Sequence, residues 1–386
     1  MKKVVLLLFM VTSFIMLSAQ NTKVQSAFSY LRSGRLDKAM ENIEPAITHE
    51  KTMNDPKTWN YRGTIYIQIS ASIDSNIQKL APNSVQIAYD SYQKSIELDA
   101  DKEFEQKNMI GLFACAEEFY NKGVKLFNLK DFNNGLLAFE KTIKINNVFG
   151  KRDTLATFNA ALCAEYSNNR VKAKEHYLSL VRSNFNQPSI YSSLSGLYRD
   201  DKDTIKAIKT IENGRKKFPN DFQLIIDEAN IYLFTGDAIK AQNALNIAIA
   251  KDSTNATVFF AVGTNYEKIG DMQNAEKAYT KAIALKPDYS DANYNLGALK
   301  FNNAKSLIEK ADNLPLGDKN YDILKKQASD QMNNAMPYLE KASEMQPDDD
   351  IILTALKDIY VRLNLPEKLK VVVQKLADLK KAAPKK

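Results

Sequence analysis

The chain has 386 residues, 44% of them hydrophobic and 26% charged, with a net charge of +7. Lysines and arginines are scattered among aspartates and glutamates rather than gathered in a stripe, which excludes a nucleic-acid surface. With only 13 glycines, 11 prolines and little β-branched alternation, the composition favours helices.

The N-terminus reads MKKVVLLLFMVTSFIMLSAQ. A basic start (Lys2, Lys3), an apolar run from Val4 to Leu17 and the small residues Ser18 and Ala19 predict a secretory signal peptide over 1–19. The run is shorter than the roughly 20 residues needed to cross a bilayer, so no stable membrane insertion is expected. No Cys follows it, so a lipid anchor is not expected either. The mature chain is therefore expected in the periplasm or outside the cell. Its two cysteines, Cys115 and Cys163, are too few for a disulfide framework and are expected as buried thiols.

From residue 20 onward the same sentence repeats. The first unit, near 20–53, carries Ala27, Tyr30, Gly34, Ala39 and Ala46. The second, near 56–103, has Trp59, Gly63 and Tyr66 on one predicted helix and Ala88 and Tyr92 on another, with an insertion between them. The third, near 116–149, has Gly123, a Lys130–Asp131 turn and Phe139. Five units then start at Thr154, Pro188, Phe222, Ala256 and Ser290, each 34 residues after the last. Gly236 and Gly270, Ala241 and Ala275, and Ala248 and Ala282 keep that step, and a fixed period of this size indicates a repeat array. The units are thus placed at 154–187, 188–221, 222–255, 256–289 and 290–349. The unit at 290–349 contains a long helical insertion near 303–328, read as an extension of two helices joined by a loop from Asn313 to Gly317. A degenerate, more polar unit, 350–383, closes the array, as expected where a stack ends in water. The whole of 20–386 is read as one solenoid.

Each unit predicts two helices of about 13 residues, marginal alone and stable only when packed. In the unit at 256–289, Gly263 and Ala282 mark a close helix approach, and Tyr266 and Tyr279 fill the space between helices. Gly270 supplies a left-handed stop. Asp271 then caps the second helix and Pro287 ends it.

With a large residue at place 4 (Phe259), Gly263 at place 8, Tyr266 at 11, Gly270 at 15, Ala275 at 20, Tyr279 at 24, Ala282 at 27 and Pro287 at 32, this unit resembles a tetratricopeptide repeat (TPR). The resemblance implies an all-α TPR-type solenoid, a right-handed superhelix of about eight helix-turn-helix units plus the degenerate one. It further implies that places 2, 5, 6, 9, 12 and 13 of the first helix, helix A, line a concave groove. Those places include Phe127, Phe158, Asn159, Tyr166, Asn230, Phe234, Phe260, Tyr294, Asn295 and Phe301. Aromatic rings and amides of this kind suit a peptide or a partner helix. Place 5, where heat-shock co-chaperones of this family carry a carboxylate-clamping lysine, holds Phe158, Ser192, Ile226, Phe260 and Tyr294, so that ligand class is not expected.

No catalytic pattern stands out. The two histidines, His49 and His176, are expected as solvated surface residues. The acidic turn Asp318, Asn320, Asp322 mimics the start of a calcium loop, but Ile323 and Ser329 stand where Gly and Glu are needed, and an ordinary turn is the reading. No motif for a phosphate loop, a nucleophile elbow or a metalloprotease helix is present. No catalytic residue, metal or cofactor is expected. The sequence reads as a non-enzymatic protein-interaction scaffold of the bacterial envelope. The alternative is a glycan- or nutrient-binding component at the outer membrane. Nothing in the sequence fixes the oligomeric state.

Overall fold

A computed structural model describes residues 22–382; the expected signal peptide, within 1–21, and residues 383–386 lie outside the described residues. Two compact units divide at Ile190 and Tyr191. In the first, α1 (22–32) is followed by α2 (Leu36–Ile43), a 3-10 turn (Glu44–Ile47), α3 (Pro56–Ser70) and the short α4 (Ser75–Lys79). Next come α5 (Ser84–Leu98), α6 (Glu105–Asn128), α7 (Phe132–Val148), α8 (Thr154–Tyr166) and α9 (Arg170–Arg182). Pairs pack consecutively: α6 on α7, α8 on α9, and α3 on α5 across the inserted α4.

The second unit opens within α10 (Ser189–Asp200) and continues through α11 (Thr204–Lys217), α12 (Phe222–Thr235), α13 (Ala238–Lys251), α14 (Ala256–Lys268) and α15 (Met272–Leu285). Then follow α16 (Ser290–Asp312), α17 (Asn320–Met345), α18 (Asp350–Arg362) and α19 (Pro366–Ala382). At 23 and 26 residues, α16 and α17 are the long hairpin expected from the insertion. They pack on each other through Ala304, Ala328, Met332 and Ala335, all at most 2% exposed.

Helix boundaries follow from side-chain caps. Asn169, Asp203, Asp237 and Asp271, spaced by the repeat, each accept a hydrogen bond from a first-turn amide of the helix they precede. Such a cap is worth about 1 kcal/mol. The residue before each cap is left-handed: Asn168, Lys202, Gly236 and Gly270 have φ of 58°, 62°, 81° and 81°. Lys130 (60°) and Asn364 (54°) do the same in the third and last repeats. The expectation of a left-handed stop is met at Gly270, and the same geometry persists where the residue is a lysine or asparagine. A non-glycine residue in that conformation costs roughly 1–2 kcal/mol.

Packing within a repeat is a ring set into a hole. A Cβ on Gly263 would lie 2.5 Å from the ring of Tyr279, and one on Gly123 would lie 2.7 Å from the ring of Phe139. Both rings are at most 1% exposed. Glycine is therefore required at these points for close approach. The same two places hold Ala161 and Tyr177 in one repeat and Ser195 and Ile211 in the next, and all four are buried. In each unit the core runs as a ribbon between successive helices. In the first it extends from Ala27 to Ile145, and in the second it continues from cluster to cluster as far as Val372.

Three sequence expectations meet the structure here. Cys115 and Cys163 are free and wholly buried. Burial pushes their thiols up to about 12 and about 11. Asp318 accepts from the Asn320 amide at 2.8 Å and starts α17, an ordinary turn. His176 is a correction: it is not solvated but 7% exposed, with Nε2 3.1 Å from Glu140 Oε1 on the preceding α7. Lys172 reaches the same oxygen at 3.1 Å, so one carboxylate ties α9 to α7 through two side chains.

Candidate functional site

The residues expected on the A-helix face fall into separate clusters. In the first unit, Phe127 at the end of α6 and Tyr166 at the end of α8 come together, with ring centroids 5.9 Å apart. Phe132, on α7, completes the group at 5.5 Å from Phe127 and 5.1 Å from Tyr166. Tyr166 keeps 58% of its surface exposed, so the cluster presents a ring to solvent. Phe158 packs on Phe185 at 5.7 Å. The Asn159 amide donates to the Tyr120 hydroxyl at 3.1 Å, joining α8 to α6.

Tyr120 belongs to a cavity on this face. With Glu117 and Asn121 it occupies places 2, 5 and 6 of the third repeat. These residues line a cavity of about 460 Å³, together with Phe113, Asn146, Lys151, Asp153 and Leu155.

 The cavity is bounded by α6, α7 and the start of α8, all in the first unit. Its walls mix rings with polar groups. Lys151 Nζ stands 5.5 Å from the centre of the Phe113 ring. Asn146, 4% exposed, donates to Asp153 Oδ2 at 2.8 Å, while its amide oxygen is buried without a hydrogen-bond partner. A buried acceptor left open costs about 1–3 kcal/mol, which a donor from water or a bound chain would recover.

In the second unit, Asn230 and Phe234 lie one turn apart on α12, and both are exposed, Phe234 at 66%. Phe260 and Asn295 converge on Tyr279: the Phe260 ring is 5.8 Å from it, and the Asn295 amide donates to its hydroxyl at 3.2 Å. Tyr289 adds a third ring, 5.1 Å from Phe260. Burial, reinforced by a hydrogen bond to Glu267, raises the Tyr279 hydroxyl well above its ordinary value, so it stays a neutral donor and acceptor. Tyr294 is half-buried against the core that α16 and α17 share. Phe301 is a correction: at 3% exposure it is part of that core and offers no surface to a ligand.

Sequence reasoning passed over Tyr120, Phe132 and Tyr289. Tyr120 was within reach, because place 5 of the third repeat is its position, and place 5 is aromatic again at Phe158, Phe260 and Tyr294. Phe132 and Tyr289 lie outside helix A and carry no positional signal. Among the described residues, no group of three His, Cys, Asp or Glu side chains is placed to hold a metal ion. No helix among them is long and apolar enough to cross a membrane.

Comparison with known proteins supports the repeat. The family described as Tetratricopeptide repeat matches residues 256–289. No curated protein matches the chain. Among solved structures, the C-terminal part of a TPR repeat-containing protein from Cytophaga hutchinsonii is 13% identical, with a TM-score of 0.50, covering 69% of this chain and 96% of its own. MamA from Desulfovibrio magneticus RS-1 is 16% identical, with a TM-score of 0.39, covering 51% of this chain and 97% of its own. YrrB, described as a TPR protein with an unusual peptide-binding site, is 15% identical, with a TM-score of 0.41, covering 53% of this chain and 96% of its own. At 13% identity the first of them speaks for the fold alone.

Proposed function

The chain is a tetratricopeptide-repeat protein, and on that premise we propose that it is a non-enzymatic scaffold, exported to the bacterial envelope, that holds a peptide or partner protein on its A-helix face. The observation that carries this reading is the cavity beside Tyr120. It combines rings, amides and a buried Asn146 oxygen without a partner, which is the equipment for gripping a backbone rather than for breaking bonds. The half-exposed rings of Phe127, Phe158, Phe260 and Tyr294 and the open rings of Tyr166 and Phe234 would extend that grip in each unit. Export rests on the leader-like sequence of residues 1–19.

The test is affinity capture from an envelope fraction. Wild type is compared with Phe234→Ala/Phe260→Ala/Tyr294→Ala and with Tyr120→Ala/Tyr166→Ala, and circular dichroism checks that each variant folds. The expected result is a defined protein retained by wild type and lost by one or both folded variants. Equal retention by all three, or saturable binding on a glycan array in place of protein capture, would overturn the reading.

A further inference from the structure

A second cavity in the first unit exists because of the insertion between α3 and α5. It measures about 340 Å³, and its walls come from the end of α3, from α4, from the Ala81–Pro82 link, from the start of α5 and from α6. Its chemistry differs from that of the cavity beside Tyr120. Lys122 and Lys125, three residues apart and so on one face of α6, both line it, and neither has an ion-pair partner among the described residues. The α5 N-terminus opens onto the same space. Asn83, its capping residue, makes no side-chain cap, which leaves the first-turn amides of Val85 and Gln86 unsatisfied. Ser84 is 5% exposed and lines the cavity, and its hydroxyl makes no hydrogen bond among the described residues.

Glu118 also lines the cavity, but its carboxylate is engaged, accepting from Ser70 Oγ at 2.9 Å and from the Asn121 amide at 3.4 Å. The positive groups are therefore two lysines and a helix dipole end, set against one carboxylate whose oxygens already have donors. That balance suits a monoanion and disfavours a dianion such as phosphate. The remaining wall is apolar: Ala81, Pro82, Val85, Leu126 and the 68%-exposed Leu129.

We propose that this cavity is a carboxylate-recognition site for an acidic peptide, taking one carboxylate against Ser84, Lys122 and Lys125 and a neighbouring apolar side chain against Pro82 and Leu129. The site lies apart from place 5 of the repeats and needs no lysine there. It does not depend on the A-helix reading above.

The experiment is fluorescence anisotropy on the full chain. The probe is a fluorescein-labelled decapeptide of alternating leucine and aspartate, with a leucine–asparagine decapeptide as the neutral control. Saturable binding of the acidic probe is expected, with the control at least tenfold weaker. Lys122→Ala/Lys125→Ala should weaken the acidic probe at least tenfold, and Ser84→Ala should weaken it severalfold, both with unchanged melting temperature. Lys122→Glu/Lys125→Glu should abolish binding. Acetate should compete better than inorganic phosphate at equal concentration. No binding by wild type, equal binding of the neutral probe, or a lysine variant within twofold of wild type would each overturn the proposal. Stronger competition by phosphate would overturn the assignment to a carboxylate.

Discussion

Tyr360 donates its phenolic hydrogen to Glu340 Oε1 at 2.7 Å, tying helix A of the last repeat to the second helix of the repeat before it. The bond recurs at Tyr232–Glu212, 3.1 Å, and at Tyr66–Glu44, 2.8 Å. Each time the tyrosine stands at place 11 of its repeat and the glutamate at place 25 of the preceding one. Place 11 therefore does more than fill volume: it fixes how one repeat sits on the next. Removing the hydroxyl in Tyr360→Phe leaves Glu340 still paired with Lys368 at 2.8 Å. The expected cost is about 1 kcal/mol, the net worth of such a hydrogen bond, read as a lower urea midpoint. An unchanged midpoint would mean that water replaces the bond without loss.

Gly263→Leu forces a side chain into the ring of Tyr279, which lies 2.5 Å from the position of the first added carbon. Overpacking of this kind costs about 1–3 kcal/mol. The melting temperature should fall, and Gly263→Ala should fall less. A leucine variant that melts with wild type would refute the close contact.

Lys202→Gly should have the opposite sign. Lys202 is exposed and left-handed, with φ 62°. Glycine removes roughly 1–2 kcal/mol of backbone strain and returns roughly 0.5–1 kcal/mol through the freer unfolded chain. A small net gain is expected as a higher melting temperature; a lower one would show that Lys202 is not strained.

These turns show what was legible. Where the stop is Gly236 or Gly270, sequence and backbone agree. Asn168 is a residue type that visits the same conformation, but at Lys202 the side chain gives no sign of it, because the following cap and the packed helices impose it. Phe301 was misread for a physical reason. Helix A ends at Tyr166 and Thr235 in ordinary repeats, which leaves its last turn open, whereas α16 runs on to Asp312 and packs along α17. His176 looked external on its own helix, and only the neighbouring α7 supplies the carboxylate that accounts for its burial.

Both thiols should resist a water-soluble disulfide reagent at pH 8 and react once urea unfolds the chain. Burial raises Cys115 and Cys163 from an ordinary 9.0 to about 12 and about 11. Burial, with a hydrogen bond to Glu212, raises Tyr232 from 10.0 to about 12. Below pH 9 these groups are protonated whether folded or unfolded, and their contribution is whole. Above pH 9 the unfolded thiols ionise first, then the unfolded phenol above pH 10, so stability should fall as pH rises toward 12. Denaturation midpoints from pH 7 to 11 check the sign; a rise with pH would contradict it.

Asn265 has a consequence for rearranging the chain. It is wholly buried and donates to Ala238 O at 3.1 Å and to Gln242 Oε1 at 2.9 Å on the helix before its own. Excising residues 222–255 would keep the phase of the array and could even bring Tyr266 to Glu212. It would also set Asn265 opposite Ile208, which stands where Gln242 had been, and take away one of the two acceptors of its amide. The modules share a length but not a key, so their order along the chain is itself part of the fold.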